Sequence, residues 1–185
     1  NLNFRSDVLE IGGNLEWNLK GYKVGSRNNR FSPYLFAGLS IFKFDPEGLD
    51  NTGDSATMEW VRLQPLGTEG QGTTKYNDRK KYSLTQVSIP LGAGIQYNFS
   101  GNWTFGVEAG MRKTFTDYLD DVSTTYVEPN ILAEAYGDLS VRMSNKTDIA
   151  YGPNKERGNA TNKDWYMFAG LTLTYTIMPR KCYEF

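Results

Sequence analysis

The stretch that most limits what this chain can become is residues 82–115. In 82–97 the odd positions carry Val87, Ile89, Leu91, Ala93, Ile95 and Tyr97, while the even positions carry Gln86, Ser88, Pro90, Gly92, Gly94 and Gln96. After a short break at 98–102 the alternation resumes. Phe105, Val107, Ala109 and Met111 fall on one side; Thr104, Gly106, Glu108, Gly110, Arg112 and Thr114 fall on the other. Successive side chains of a strand point to opposite faces, so the segment reads as two long strands joined by a tight turn, each with one apolar and one polar face. The polar face sets Glu108 and Arg112 among glycines. A membrane barrel makes this demand, with lipid outside and a polar, crowded lumen inside.

Three more strands show the same period. Residues 1–19 alternate Leu9, Ile11, Leu15, Trp17 and Leu19 with Glu10, Gly12, Asn14, Glu16 and Asn18. Residues 33–44 set Leu35, Ala37, Leu39 and Ile41 against Tyr34, Phe36, Gly38, Ser40 and Phe42; aromatics beside glycine suit the filled interior of a small barrel. Residues 165–177 set Met167, Ala169, Leu171 and Leu173 against Phe168, Gly170, Thr172 and Thr174. No segment shows helical periodicity, and the length fits a single domain over 1–185. No run approaches the roughly 20 apolar residues of a spanning helix. The net charge of −1, with no basic run, argues against nucleic acid. There is no histidine, which removes the commonest general base and zinc ligand. The single cysteine, Cys182, cannot close a disulfide within the chain.

The connections run medium (20–32), long (45–81), short (98–102) and long (116–164). In an up-and-down barrel alternate connections share a rim, and outer-membrane barrels have short periplasmic turns and long extracellular loops. Residues 20–32, 98–102 and the tail 178–185 are therefore expected in the periplasm, and 45–81 and 116–164 outside. With both termini periplasmic, an even strand number needs an odd number of strands before Asn1. The five readable strands plus about three make eight, the smallest usual barrel. The expected fold is thus all-β: a transmembrane antiparallel up-and-down β-barrel of eight strands in a bacterial outer membrane, about three N-terminal strands preceding this chain. Lys43 and Lys113 fall at the outer ends of strands on the apolar face, placed to snorkel to the phosphates of outer-membrane lipid or lipopolysaccharide. Aromatics at strand ends, such as Trp17, Tyr97, Trp103 and Trp165, suit interfacial belts.

Three segments carry a resemblance. They are Trp60-Val61-Arg62-Leu63-Gln64-Pro65-Leu66-Gly67-Thr68-Glu69-Gly70-Gln71-Gly72, then Arg112-Lys113-Thr114-Phe115-Thr116-Asp117-Tyr118-Leu119-Asp120-Asp121-Val122-Ser123, then Asn162-Lys163-Asp164-Trp165-Tyr166. They resemble the PorG-like outer-membrane barrels of Bacteroidetes, and the likeness covers essentially the whole chain. The resemblance implies a non-enzymatic component of type IX protein secretion. It would tie a periplasmic ring, made of a lipoprotein and its partner, to the outer membrane, with no cofactor, catalytic residue or small-molecule substrate. It also implies further strands before Asn1. Under it the periplasmic partner would meet Lys20, Gly21, Tyr22, Lys23, Asn102, Arg180, Lys181 and Cys182.

Glu10, Glu16, Glu108 and Arg112 read as a lumenal charge network rather than an ion-selective constriction. Along one strand Glu108 and Arg112 are about 13 Å apart at ~3.3 Å per residue, so each needs partners on other strands. Asp120 and Asp121 read as solvated acids or loop-folding salt bridges; the spacing of an EF-hand calcium loop is missing around them. Residues 67–72 lack the Lys-Ser/Thr ending of a phosphate loop. Asp54-Ser55-Ala56 resembles the short O-glycosylation motif of Bacteroidetes. Two other functions stay open: an independent surface barrel whose long loops bind an extracellular target, and a soluble lipocalin-like barrel with its apolar face inward. Period-two patterning does not say which face is inside.

Overall fold

The computed structural model describes residues 3–50, 58–147, 149 and 151–177. Its strands are β1 (Phe4–Asn18), β2 (Phe31–Asp50), β3 (Glu59–Arg62), β4 (Thr85–Ser100), β5 (Trp103–Thr114) and β6 (Trp165–Tyr175). Two short helices, α1 (Pro129–Tyr136) and α2 (Asp138–Ser144), lie between β5 and β6. The strands form one antiparallel sheet in the order β1-β2-β4-β5-β6, with β3 paired to β2. Apart from β3, neighbours in the sheet are neighbours in the chain, the up-and-down order expected from the alternation. The chain packs as two compact units. The first comprises residues 1–11, 41–87 and 114–164; the second comprises 12–40, 88–113 and 165–185.

In the second unit the alternation decides burial, and it decides which face is inside. On β2, Tyr34, Phe36 and Ser40 are buried while Leu35 and Leu39 are exposed. On β4, Ser88 and Asn98 are buried against exposed Leu91, Ile95 and Tyr97; on β5, Thr104 is buried against Phe105, Val107 and Met111. The polar and glycine-bearing face is the inner one. Aromatic rings fill it over the glycines: a Cβ added at Gly94 would strike the Tyr34 ring, and one at Gly92 would strike the Phe36 ring. Phe36 on β2 meets Phe168 on β6 with ring centroids 6.0 Å apart. Their strands are three spacings apart, about 14 Å in a flat sheet, so the sheet curls around its polar face. The β4–β5 hairpin turns at Gly101, whose φ of 47° is easy only for glycine. Buried Asn98 holds that turn by donating to the carbonyls of Gly101 (2.9 Å) and Trp103 (2.7 Å). Its Oδ1 accepts the Gly25 N–H at 3.0 Å, which ties the two short connections together.

The first unit corrects two expectations. The strand read as 33–44 continues to Asp50, and β3 pairs back on it from Glu47↔Arg62 to Asp50↔Glu59, so the long loop opens as a paired arm. Asp45-Pro46-Glu47 looks like the end of a strand, but cross-strand charges compensate: Arg62 bonds Asp45 at 3.0 Å and Arg5 bonds Glu47 at 2.7 Å. The loop 116–164 was expected to hold no helix, and it holds α1 and α2. At 8 and 7 residues they are too short to display a period. Pro129 starts α1 in the first turn, where its missing N–H costs nothing, and Gly137 at φ 82° ends it. The core of this unit is Phe42, Phe44, Leu63, Val127, Leu132 and Met143, all buried. An aromatic column runs from Phe42 through Phe44 and Tyr82 to Tyr118, the last two stacked at 4.6 Å.

Candidate functional site

The densest polar cluster lies in the first unit, where residues from 60–72 and 112–123 meet around Arg157. Only 1 % of the Arg157 side chain is exposed. Its Nη1 donates to Glu69 Oε1 at 3.1 Å and to the Asp121 carbonyl at 2.6 Å, its Nε donates to the Ser144 carbonyl at 3.1 Å, and its Nη2 lies 3.9 Å from Asp121 Oδ2. Buried Glu69 also accepts the Ser123 N–H (2.9 Å), the Thr124 N–H (3.0 Å) and the Thr124 hydroxyl (2.7 Å). Asp121 accepts the hydroxyls of Tyr82 (2.7 Å) and Thr68. Arg79 adds a second tie, donating to the carbonyls of Glu69 (2.8 Å) and Thr125 (3.1 Å). Glycines make this possible. Gly67, Gly70 and Gly72 all have positive φ, which coils the chain tightly enough to aim Glu69 inward. Asp121 itself sits at φ 65°, a conformation that Asp tolerates better than most residues.

Burial pushes the Asp121 carboxyl up to about 6, against the pull of Arg157 and of the Thr68 and Tyr82 hydroxyls. Burial likewise raises Asp120, Asp164 and the phenols of Tyr82 and Tyr118, and lowers Lys146. Asp120, which feels the charge of Arg157, accepts the Val122 N–H at 3.1 Å. A general base or nucleophile must reach its substrate. Glu69 and Asp121 are 0 % and 1 % exposed and fully engaged within the protein. The cluster is a clasp that fastens one long loop to another. Among the described residues no group of three or more Cys, Asp or Glu is placed to hold a metal ion.

At the short connections the structure divides the residues expected to meet a periplasmic partner. Lys20, Gly21 and Lys23 are exposed. Tyr22 is half-buried, and its hydroxyl shares a hydrogen bond with buried Thr104 Oγ1. The Asn102 carbonyl accepts the Thr176 N–H at 2.9 Å, extending the pairing beyond β6. Arg180, Lys181 and Cys182, with the rest of the tail 178–185, lie outside the described residues, as does Asp54-Ser55-Ala56.

Of the residues read as a lumenal network, Glu108 accepts the Tyr34 hydroxyl at 3.0 Å, and the Arg112 guanidinium lies 3.7 Å over the Phe168 ring. Both find partners on other strands, as their spacing requires. Glu16 is exposed on β1 and Glu10 half-buried. Lys43 and Lys113 are exposed on the apolar side of their strands, Lys113 facing its cross-strand partner Trp165 at 5.4 Å from the ring centroid. Sequence reasoning singled out Asp121 as a loop-folding charge but missed Arg157 and Tyr82, and gave Glu69 no role; the glycines around Glu69 were the one available signal.

Residues 68–184 match a family model described as "Domain of unknown function (DUF6089)", a span that takes in Glu69, Asp121 and Arg157. No curated protein matches the chain, and no solved structure does.

Proposed function

The chain belongs to the DUF6089 family of domains of unknown function, and from its strand pattern and its burial we propose a non-enzymatic β-barrel protein of the bacterial outer membrane. The observation that carries this reading is the inverted burial of the second unit. Leu39, Leu171 and Met167 are 66 %, 73 % and 80 % exposed while Ser88 and Thr104 are hidden. A lipocalin-like barrel in water needs the reverse, with its apolar face around a ligand. A sheet facing lipid needs the arrangement seen. The test is extraction of native membranes with alkaline carbonate. The protein should stay with the pellet and require detergent; release into the supernatant would overturn the reading.

The finer role rests on the resemblance to PorG-like barrels: an anchor that holds the periplasmic ring of a type IX secretion machine to the outer membrane. The sealed clasp commits Glu69, Asp121 and Arg157 to fastening the long loops together, a structural task. Purification in gentle detergent with mass spectrometry of what accompanies the protein tests this role. Ring proteins and a secretion lipoprotein should co-purify. The protein emerging alone or with surface lipoproteins would overturn the anchor. Attention would then pass to the loops 45–81 and 116–164 as an extracellular binding surface, where a cleft of about 340 Å³ bordered by Tyr126, Leu132 and Tyr151 favours that second reading.

A further inference from the structure

The charge on the second unit is unevenly placed. The connection 20–32 carries Lys20, Lys23, Arg27 and Arg30 and no Asp or Glu, and the turn 98–102 contributes no carboxylate. This is a local bias, because 116–164 holds nine acidic and five basic residues. Lys20, Lys23 and Arg27 are exposed. Among the described residues none of the four cations has an ion-pair partner. The Lys20 ammonium lies 5.9 Å over the Phe31 ring, and Arg30 Nε donates to the Ser26 carbonyl at 2.9 Å, which holds the connection in shape. The ends of β2, β4, β5 and β6 at this rim carry half-exposed rings, Phe31, Tyr97, Phe99, Trp103 and Tyr175. These rings lie where the exposed apolar face gives way to the cationic connection.

We propose that this rim binds the phosphates of anionic phospholipid head groups, with Lys20, Lys23 and Arg27 as the contacting cations. The inference rests on the membrane reading above and not on the secretion role. Aromatic rings settle at the level of the head groups, so cations next to them meet phosphate at the same depth, and long flexible side chains reach it without a fixed partner geometry. An acidic protein would need to cover the rings as well as the charges. The rim therefore assigns to lipid the cations that the family resemblance would give to a protein ring.

The test reconstitutes the full chain and a Lys20→Gln/Lys23→Gln/Arg27→Gln variant in phosphatidylcholine vesicles. Spin-labelled phosphatidylglycerol and phosphatidylcholine report which lipid gathers at the protein. The wild type should prefer phosphatidylglycerol, the preference should collapse in high salt, and the variant should lose most of it, up to about fivefold per cation. The salt dependence of the wild type stands even where the variant folds poorly. Insertion with equal association of both lipids would overturn the proposal, as would a preference that the variant retains. Retention of an acidic protein by the wild type alone, without lipid preference, would assign the rim to a protein and also overturn it. Failure to insert in any vesicle would instead overturn the membrane reading beneath it.

Discussion

Arg157 balances two buried carboxylates, and removing it would leave Glu69 and Asp121 without a counter-charge in a buried site. Stranding buried charges in this way costs about 3–5 kcal/mol. Arg157→Met is therefore expected to cut the hydrogen-exchange protection of residues 118–125 by that amount, while β4–β5 protection stays near the wild-type level. The Asp121 carboxyl gives the clasp a pH dependence of unusual sign. Its pKa is raised from 3.8 to about 6, so the folded protein binds this proton more tightly than the unfolded chain does. The cost of ionising Asp121 in the fold is fully present above pH 6 and disappears as the pH falls towards 4. Acidification through that window should stabilise the clasp by up to about 3 kcal/mol relative to Asp121→Asn. Exchange protection of both forms, followed from pH 7 to 4, checks it; a wild type that loses protection relative to the variant would contradict it. Little of this clasp was legible in the sequence. Arg157 stands 88 residues from Glu69 and 36 from Asp121, and no local pattern links them. The bond between the Tyr22 hydroxyl and Thr104 Oγ1 was hidden for a similar reason, since 82 residues separate the two.

The long strands were legible because each is half-buried, and half-burial imprints a period of two. The short elements were not. β3 has 4 residues, and α1 and α2, with 8 and 7, each make about two turns, so they are fixed by contacts with the rest of the first unit rather than by their own pattern. The glycines of the strands divide into those that pack and those that do not. A Cβ at Gly92 would press on the Phe36 ring and lie 2.5 Å from the Ala109 carbonyl, whereas one at Gly13 would meet nothing within 4 Å. Gly92→Ala should therefore destabilise the protein by about 1–3 kcal/mol through overpacking, and Gly13→Ala should change it by less than about 0.5 kcal/mol. Denaturant unfolding of the two variants in one detergent checks the pair. Equal effects would mean that ring-on-glycine packing is not what holds the inner face.

For the molecule as a whole, the question the sequence left open was the direction of its apolar face. Alternation in 82–115 is equally compatible with an apolar interior and an apolar exterior, since both repeat every second residue. The fold resolves it through volume: Tyr34, Phe36 and Phe168 occupy the space that the glycines of β4 and β5 clear, and the aliphatic residues are left outside. The most direct measurement is the free energy of folding into lipid vesicles for Leu91→Arg and Val107→Arg beside the wild type, both positions being exposed on the apolar face. If that face meets hydrocarbon, each arginine should cost about 2–4 kcal/mol. Changes within about 0.5 kcal/mol at both positions, the usual effect on a water-facing surface, would contradict the account.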